Sequence, residues 1–350
     1  MSKKMILIVG GIPNKKKNIE YGGATVLMQN FIDYLYKYSV KFRFAQTNKF
    51  SGCKLLGRLL NKLYFLFSFI RGIRHVDIVM FNFSDYSTVY NFPFISSISK
   101  FLGKKIVLRK FGGTMDSFLS CVPVYRINRM LISMRNCDAI FFETKSSIAQ
   151  IKKLLGQVSP PIIWFPNNRY MSEFRKDPKD FNKRLVFISH LKDEKGVKDI
   201  LEVAGLLPSD YHIDLYGSIK EEKYKNFDFS KYGVSYHGEI ASNLVGKVLS
   251  DSSILLLPSY REGYPGIIIE AMSVGIPIVA SNVGGIPEMM TDYKEGRIVR
   301  AGNIEELRSA ILSITSDNYE LMCENAFRTY QQNFNSEMIN ADVLKYIMML

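Results

Sequence analysis

The chain's 350 residues, 47% hydrophobic with a mean hydropathy of −0.01, exclude a disordered or low-complexity protein and suit two α/β domains better than one core. Its net charge of +13 is unevenly spread: residues 1–170 carry 26 Lys and Arg against 7 Asp and Glu, a net of +19, whereas residues 171–350 carry 20 against 26, a net of −6. An anionic partner is therefore expected at the N-terminal half, and with no C2H2 spacing, RNP-like run or arginine-rich helix the candidate is an anionic membrane surface, not nucleic acid.

The chain opens MSKKMILIVGG, without a secretory n-region, h-region and cleavage site, and its four cysteines, Cys53, Cys121, Cys137 and Cys323, form no C-x-x-C pair. Both point to the reduced cytoplasm. MILIVGG (5–11) reads as a strand ending in glycines, and GGATVLMQNFIDYLYKY (22–38) has apolar residues at helical spacing. After a strand at 41–46, KLLGRLLNKLYFLFSFIRGIRH (54–75) interleaves Leu, Phe and Tyr with Lys54, Arg58, Lys62, Arg71 and Arg74. An interfacial helix would do so; so would a core-facing helix with a solvated basic face. Its apolar cluster at 63–70 is far short of the roughly 20 residues needed to span a bilayer. Further strands are expected at 76–83, 104–113, 137–144 and 161–166, mostly separated by helix-length segments, as in a doubly wound parallel sheet.

The pattern restarts after the polar stretch NNRYMSEFRKDPKDFNK (167–183), with strands expected at 184–189, 211–217, 234–238, 252–258, 277–281 and 296–302. Two Rossmann-like domains, 1–168 and 169–335, would face a cleft, with the helical segment 336–350 free to pack back on the first. In such sheets ligands bind beyond the carboxyl ends of the strands, so the loops there carry the candidates.

In PSYREGYPGIIIEAMSVGIPIVASNVGGIPE (258–288), Glu262 falls in the loop after a buried strand, and Pro265 suits the first position of the helix that follows. Glu270 then lies about one turn into that helix, among Ile267, Ile268, Ile269, Ala271 and Met272. A carboxylate in such company needs partners, and sugar or ribose hydroxyls would serve. The helix N-terminus would hold a phosphate, with Gly263 and Gly266 allowing close backbone approach. The plainer alternative makes Glu262 a solvent-facing loop acid and Glu270 an exposed helix position.

This segment resembles the E-x7-E signature of glycosyltransferase family 4, retaining transferases of the two-Rossmann GT-B fold. LVFISHLKDEKGVKDILEVAGLLP, YHIDLYG, VSYHGEIASNLVGKVLSDSSILLLPS and YGGATVLMQNFIDYL are similar to other family segments, the likeness being strong in the C-terminal half and weaker in the N-terminal half. The resemblance implies that Glu270 holds ribose hydroxyls of a nucleotide-sugar and Glu262 hydroxyls of the transferred sugar. It places backbone amides around Gly263, Tyr264, Gly266 and Ile267 near the diphosphate and makes Lys195 the phosphate lysine. Without the resemblance, Lys195 in KDEKGVKD would read as part of a solvated charge run.

Two positions depart from the family pattern. An arginine usual beside the donor phosphates is His190 here, so that Lys195, Arg261 or a protonated His190 would have to replace it. In VLRKFGGTMDSF (107–118), Phe111-Gly112-Gly113-Thr114 stands where many members have His-Gly; Gly112, Gly113 and Asp116 would shape the acceptor side, with Arg109 as a nearby cation. Gly22 and Gly23 would meet donor phosphate or acceptor, or simply start a helix, and His237 would touch the donor. Gly284, Gly285, Pro287 and Glu288 form another strand–loop–helix entry. No D-x-D pair or zinc-spaced His/Cys cluster occurs, so neither metal nor cofactor is expected. The expected activity is transfer of a sugar from a UDP- or GDP-sugar to a glycan, the acceptor carried on a lipid such as undecaprenyl diphosphate, at the inner face of a bacterial membrane during capsule, O-antigen or exopolysaccharide assembly. The alternatives are a nucleotide-sugar epimerase or hydrolase and a non-catalytic nucleotide-sugar sensor.

Overall fold

The structure is a computed structural model and describes residues 4–12, 23–49, 54–112 and 116–350, without the side chains of residues 54–56, 58, 116 and 117. Gly22 and Gly113 lie outside the described residues, as does the side chain of Asp116. The chain forms two compact units, one of Met1–Asn167 with Glu337–Leu350, the other of Asn168–Ser336.

The first unit runs β1 (Ile6–Gly10), α1 (Gly23–Lys37), β2 (Phe42–Gln46), α2 (Lys54–Ile73), β3 (Ile78–Phe83), α3 (Asp85–Tyr90) and α4 (Phe92–Phe101). It continues with β4 (Lys105–Lys110), α5 (Asp116–Leu119), α6 (Val124–Arg135), β5 (Ala139–Phe142), α7 (Lys145–Leu155) and β6 (Ile162–Trp164). Every residue of β1, β3 and β5 is buried, the signature of strands covered by helices on both faces. The six strands pair in parallel in the order β2-β1-β3-β4-β5-β6. Leu7, Phe81, Leu108 and Ile140 face one apolar layer with Phe69, Phe92 and Met130; Ile8, Met80, Val107 and Phe141 face the other with Phe31 and Leu35.

The second unit contains β7 (Arg184–Ile188), α8 (Val197–Ala204), β8 (His212–Tyr216), β9 (Val234–Tyr236), α9 (Val245–Ser250) and β10 (Ile254–Leu257). It ends with α10 (Gly266–Val274), β11 (Ile278–Ser281), α11 (Ile286–Met289), β12 (Gly296–Val299), α12 (Ile304–Leu312) and α13 (Ser316–Asn333). Its parallel sheet has the order β12-β11-β10-β7-β8-β9, the doubly wound order of a Rossmann domain. The expected α/β class and both parallel sheets are thus present. The strands are shorter than the apolar runs because the last residues of each run already belong to loops: Thr144, at the end of CDAIFFET, caps α7 by accepting from the Ser147 amide at 3.1 Å.

The last helix, α14 (Ser336–Met349), returns from the second unit, and Val343 and Ile347 join the layer that contains Phe31 and Phe141. Glu337 adds an ion pair with Lys37 and accepts from Tyr38 Oη at 2.9 Å.

Candidate functional site

In the second sheet the strand order reverses between β7 and β10, and the loops leaving these two strands carry Lys195 and Glu262. After β7 the chain passes His190 and makes a single 3-10 turn at Asp193–Lys195 before α8. Gly196 closes that turn at φ +79°, where a Cβ would lie 2.2 Å from the Pro258 carbonyl oxygen, so only glycine lets the two loops approach. The Tyr260 amide donates to the Glu194 carbonyl at 2.9 Å and joins them further.

Across this junction Lys195 Nζ is 2.7 Å from Glu262 Oε1, and Ser259 Oγ donates to the same oxygen at 2.8 Å. The two side chains are 17% and 9% exposed. Lys195 is therefore not in a solvated charge run, nor is Glu262 a solvent-facing loop acid. The Glu262–Gly263 backbone is packed from behind by the glycine pair after β11: a Cβ on Gly284, at φ +57°, would stand 2.0 Å from the Glu262 carbonyl oxygen, and the Gly285 amide donates to Gly263 O at 2.7 Å.

Helix α10 starts at Gly266, and Pro265 is its N-cap at φ −69°, ψ 120°, one position earlier than the sequence suggests. Its sequence GIIIEAMSV is apolar nearly all round, as befits a helix buried on most sides, and its first turn carries no acidic residue. The N-terminal amides thus keep the partial positive charge that attracts anions. Glu270 is half-buried and paired, its Oε1 2.7 Å from Arg169 Nε. The Arg169 guanidinium lies across the first turn, because a Cβ on Gly266 would be 1.9 Å from Nη2. Nη1 donates to Asn168 O at 3.0 Å.

Arg169 is a site residue that the sequence reading missed. It stands 101 positions from Glu270, in a stretch read as linker, and no motif spacing connects the two. His190 is exposed and Nδ1 is 2.8 Å from Ser218 Oγ. Arg261 is exposed as well, and its carbonyl accepts from Lys195 Nζ at 3.4 Å. His237 Nε2 is 2.7 Å from Asp214 Oδ1, whose other oxygen accepts from Arg184 Nη2 at 2.8 Å, and the imidazole stacks on Tyr216 with centroids 4.7 Å apart. Tyr264 is buried and Ile267 half-buried. Beside the Lys195 loop, Tyr260 Oη donates to Asp199 Oδ1 at 3.0 Å, and burial raises the Asp199 carboxyl above its ordinary pKa despite that bond.

In the first unit, Gly23 opens α1. Arg109 is not a surface cation. It is 1% exposed, its guanidinium carbon 3.5 Å from the Phe165 ring centroid and 4.7 Å from that of Phe111, and none of its side-chain nitrogens has a hydrogen-bond partner among the described residues. Burial pulls its pKa down to about 9. Gly112, at φ +92°, donates its amide to Glu143 Oε2 at 2.9 Å, and its carbonyl accepts from Lys110 Nζ at 3.2 Å. Among the described residues no group of three or more His, Cys, Asp and Glu side chains is placed to hold a metal ion.

A cation and a carboxylate meet at the switch point of a Rossmann sheet, beside an uncapped helix N-terminus, which is the place where doubly wound α/β proteins bind their ligands. Residues 171–332, which lie within the second unit, match the family model described as glycosyl transferases group 1. The crystal structure of Anabaena HepE in complex with UDP superposes with a TM-score of 0.73 at 15% identity, covering 99% of this chain and 100% of that one, which establishes the GT-B fold. An uncharacterized glycosyltransferase of Haemophilus influenzae is 27% identical over 220 residues, 59% of this chain and 60% of the relative. The N,N'-diacetylbacillosaminyl-diphospho-undecaprenol alpha-1,3-N-acetylgalactosaminyltransferase of Campylobacter jejuni is 29% identical over 124 residues, 35% of this chain and 33% of the relative. The chain thus matches about three fifths or less of the length of these curated relatives.

Proposed function

We propose that the protein is a retaining glycosyltransferase that moves a sugar from a UDP- or GDP-sugar to a hydroxyl of a glycan acceptor in the assembly of a bacterial surface polysaccharide. The observation that carries this reading is the Lys195–Glu262 pair at the switch point, with Glu270 one turn into α10. In the reaction the bond between the sugar C1 and the diphosphate oxygen breaks, a bond from C1 to the acceptor oxygen forms, and the acceptor's hydroxyl proton passes to the departing diphosphate. Negative charge accumulates on the leaving diphosphate, where Lys195 and the α10 amides stabilise it without a metal ion. Glu262 holds hydroxyls of the transferred sugar, and Glu270, once Arg169 is displaced or shared, holds the ribose. The acceptor is assigned as a glycan on a lipid diphosphate because the Campylobacter relative is named for a diphospho-undecaprenol acceptor.

The test starts with thermal stabilisation by UDP, GDP, ADP, NAD and the corresponding nucleotide-sugars. A ligand at ~100 times its dissociation constant should add about 2.7 kcal/mol. The expected result is a shift with one diphosphate class that persists in EDTA, followed by glycan elongation when that donor is supplied with extracted lipid-linked acceptors. A donor consumed equally well without acceptor would make the protein a hydrolase or epimerase; no shift with any nucleotide would remove the donor-site assignment.

A further inference from the structure

We propose that the first unit docks on an anionic phospholipid bilayer through the outward face of α2, an inference that does not depend on the glycosyltransferase reading. The sequence left two alternatives for this helix, an interfacial one and a core-facing one with a solvated basic face. The inner face is already engaged: Phe69 and Ile73 are buried in the core, and Gly72 lies so close to β1 that a Cβ there would be 2.8 Å from Leu7 Cδ1. The outward face, among the described side chains, is mainly apolar. Leu59, Leu60, Leu63, Leu66, Phe67 and Ile70 are all exposed, between 39% and 63%.

At 3.6 residues per turn these six positions fall within an arc of about 120° pointing away from the core. Folding of the unit does not need them, and soluble monomers rarely leave so continuous an apolar stripe in water. Exposed Lys62, Arg71 and Arg74 stand along or just beyond it. Beside it is a cavity of about 420 Å³ whose lining includes Arg43 and Arg71 with Phe44, Tyr64 and Phe67, so that cationic and apolar side chains share its wall. This chemistry matches a lipid headgroup phosphate above acyl chains, with apolar side chains inserted and long cationic ones reaching the phosphates.

Charge selects the bilayer over a second copy of the chain. A two-fold dimer through this face would bring together two surfaces that each carry Lys62, Arg71 and Arg74, in a half of the sequence that already has a net charge of +19. Among the described residues no helix is long and apolar enough to cross a membrane, so the helix would lie in the interface plane.

Co-sedimentation with vesicles of phosphatidylcholine alone, or with ~30 mol% phosphatidylglycerol, tests the proposal. The full chain should pellet with the anionic vesicles at low salt, be largely released at high salt, and stay in solution with the neutral ones. Leu63→Glu with Phe67→Glu should cut binding at least about tenfold while leaving the unfolding midpoint unchanged, since both side chains are exposed. As a second measurement, an environment-sensitive dye on Phe67→Cys, in a background with Cys53→Ser and Cys121→Ser, should shift to the blue on anionic vesicles, and the same dye on Tyr232→Cys should not. Retention of the wild-type chain in the supernatant at low salt, undiminished binding by the glutamate variant, or a dye at position 67 that reports water throughout would each overturn the proposal. So would a dimer abolished by the glutamate variant in place of vesicle binding.

Discussion

Lys195 Nζ and Glu262 Oε1 are 2.7 Å apart although they arrive on loops from two different strands, and the oxygen that accepts from lysine also accepts from Ser259. The pair is a nearly dry charge contact in which each member holds the other in place. Lys195→Ala should therefore act twice. It should weaken nucleoside diphosphate binding roughly 10- to 100-fold, the loss expected for one charge-assisted hydrogen bond, and destabilise the fold by about 1–3 kcal/mol by stranding Glu262. Calorimetric titration and urea unfolding read the two effects separately. Glu262→Gln should leave diphosphate affinity within about threefold and lower turnover instead.

The position where the family resemblance implies an arginine gives a sharper comparison. His190 points to Ser218 and is exposed, whereas Arg169 lies across the first turn of α10 and grips Glu270. His190→Ala should cost less than about threefold in nucleotide affinity. Arg169→Ala should change it more, and the double variant Arg169→Ala with Glu270→Ala should show a coupling of about 0.5–3 kcal/mol in unfolding free energy. Equal, additive effects at all three positions would break the assignment.

Gly196 sits where two loops touch. Gly196→Ala puts a Cβ into the Pro258 carbonyl and forces an L side chain into a left-handed conformation, so the midpoint of thermal unfolding should fall by an amount equivalent to at least about 2 kcal/mol. Gly205→Ala, at φ −68° where a Cβ would meet only the Glu202 carbonyl oxygen at an ordinary 3.8 Å, should be neutral within about 0.5 kcal/mol and serves as the control.

Asp199 provides a pH test. Burial raises its folded pKa above the unfolded value, so its contribution to stability is fully present below the unfolded pKa and is lost as pH rises through the folded one. At neutral pH the buried carboxylate is a cost. Asp199→Asn, which can still accept from Tyr260 Oη, should raise the melting temperature at pH 7, and the gain should shrink toward zero as pH falls below ~4. A gain that grows on acidification would reverse the sign and refute the account.

Much of this site was legible because it is local. The run SSILLLP followed by EGYPG and an apolar helix gives a buried strand, a loop and a helix start from composition alone, and the structure keeps that order with Pro265 displaced by one position. Both sheets were readable from alternation for the same reason. What could not be read is the pairing. Arg169 with Glu270 and Lys195 with Glu262 are separated by 101 and 67 residues, and only the tertiary fold brings them together. Arg109 is the converse case: a cation in sequence reads as surface, yet Val107, Arg109 and Phe111 alternate onto one sheet face and carry the guanidinium inward onto Phe165.

The chain's return through α14 means that the second unit is a single uninterrupted stretch inserted into the first. Its two ends are already joined: Arg169 pairs with Asn335 as parallel strands do, its amide donates to Phe334 O at 3.1 Å, and its carbonyl accepts from the Ser336 amide at 2.9 Å. The same residue that clamps Glu270 with its side chain thus closes the module with its backbone. Such a segment can be cut out as one piece, its entry and exit zipped side by side, and carry away the whole sheet with Lys195, Glu262 and Glu270 in place. The remaining halves of the first unit would need only a short peptide between Asn167 and Glu337, so the second unit is a piece that can be exchanged without redrawing the first.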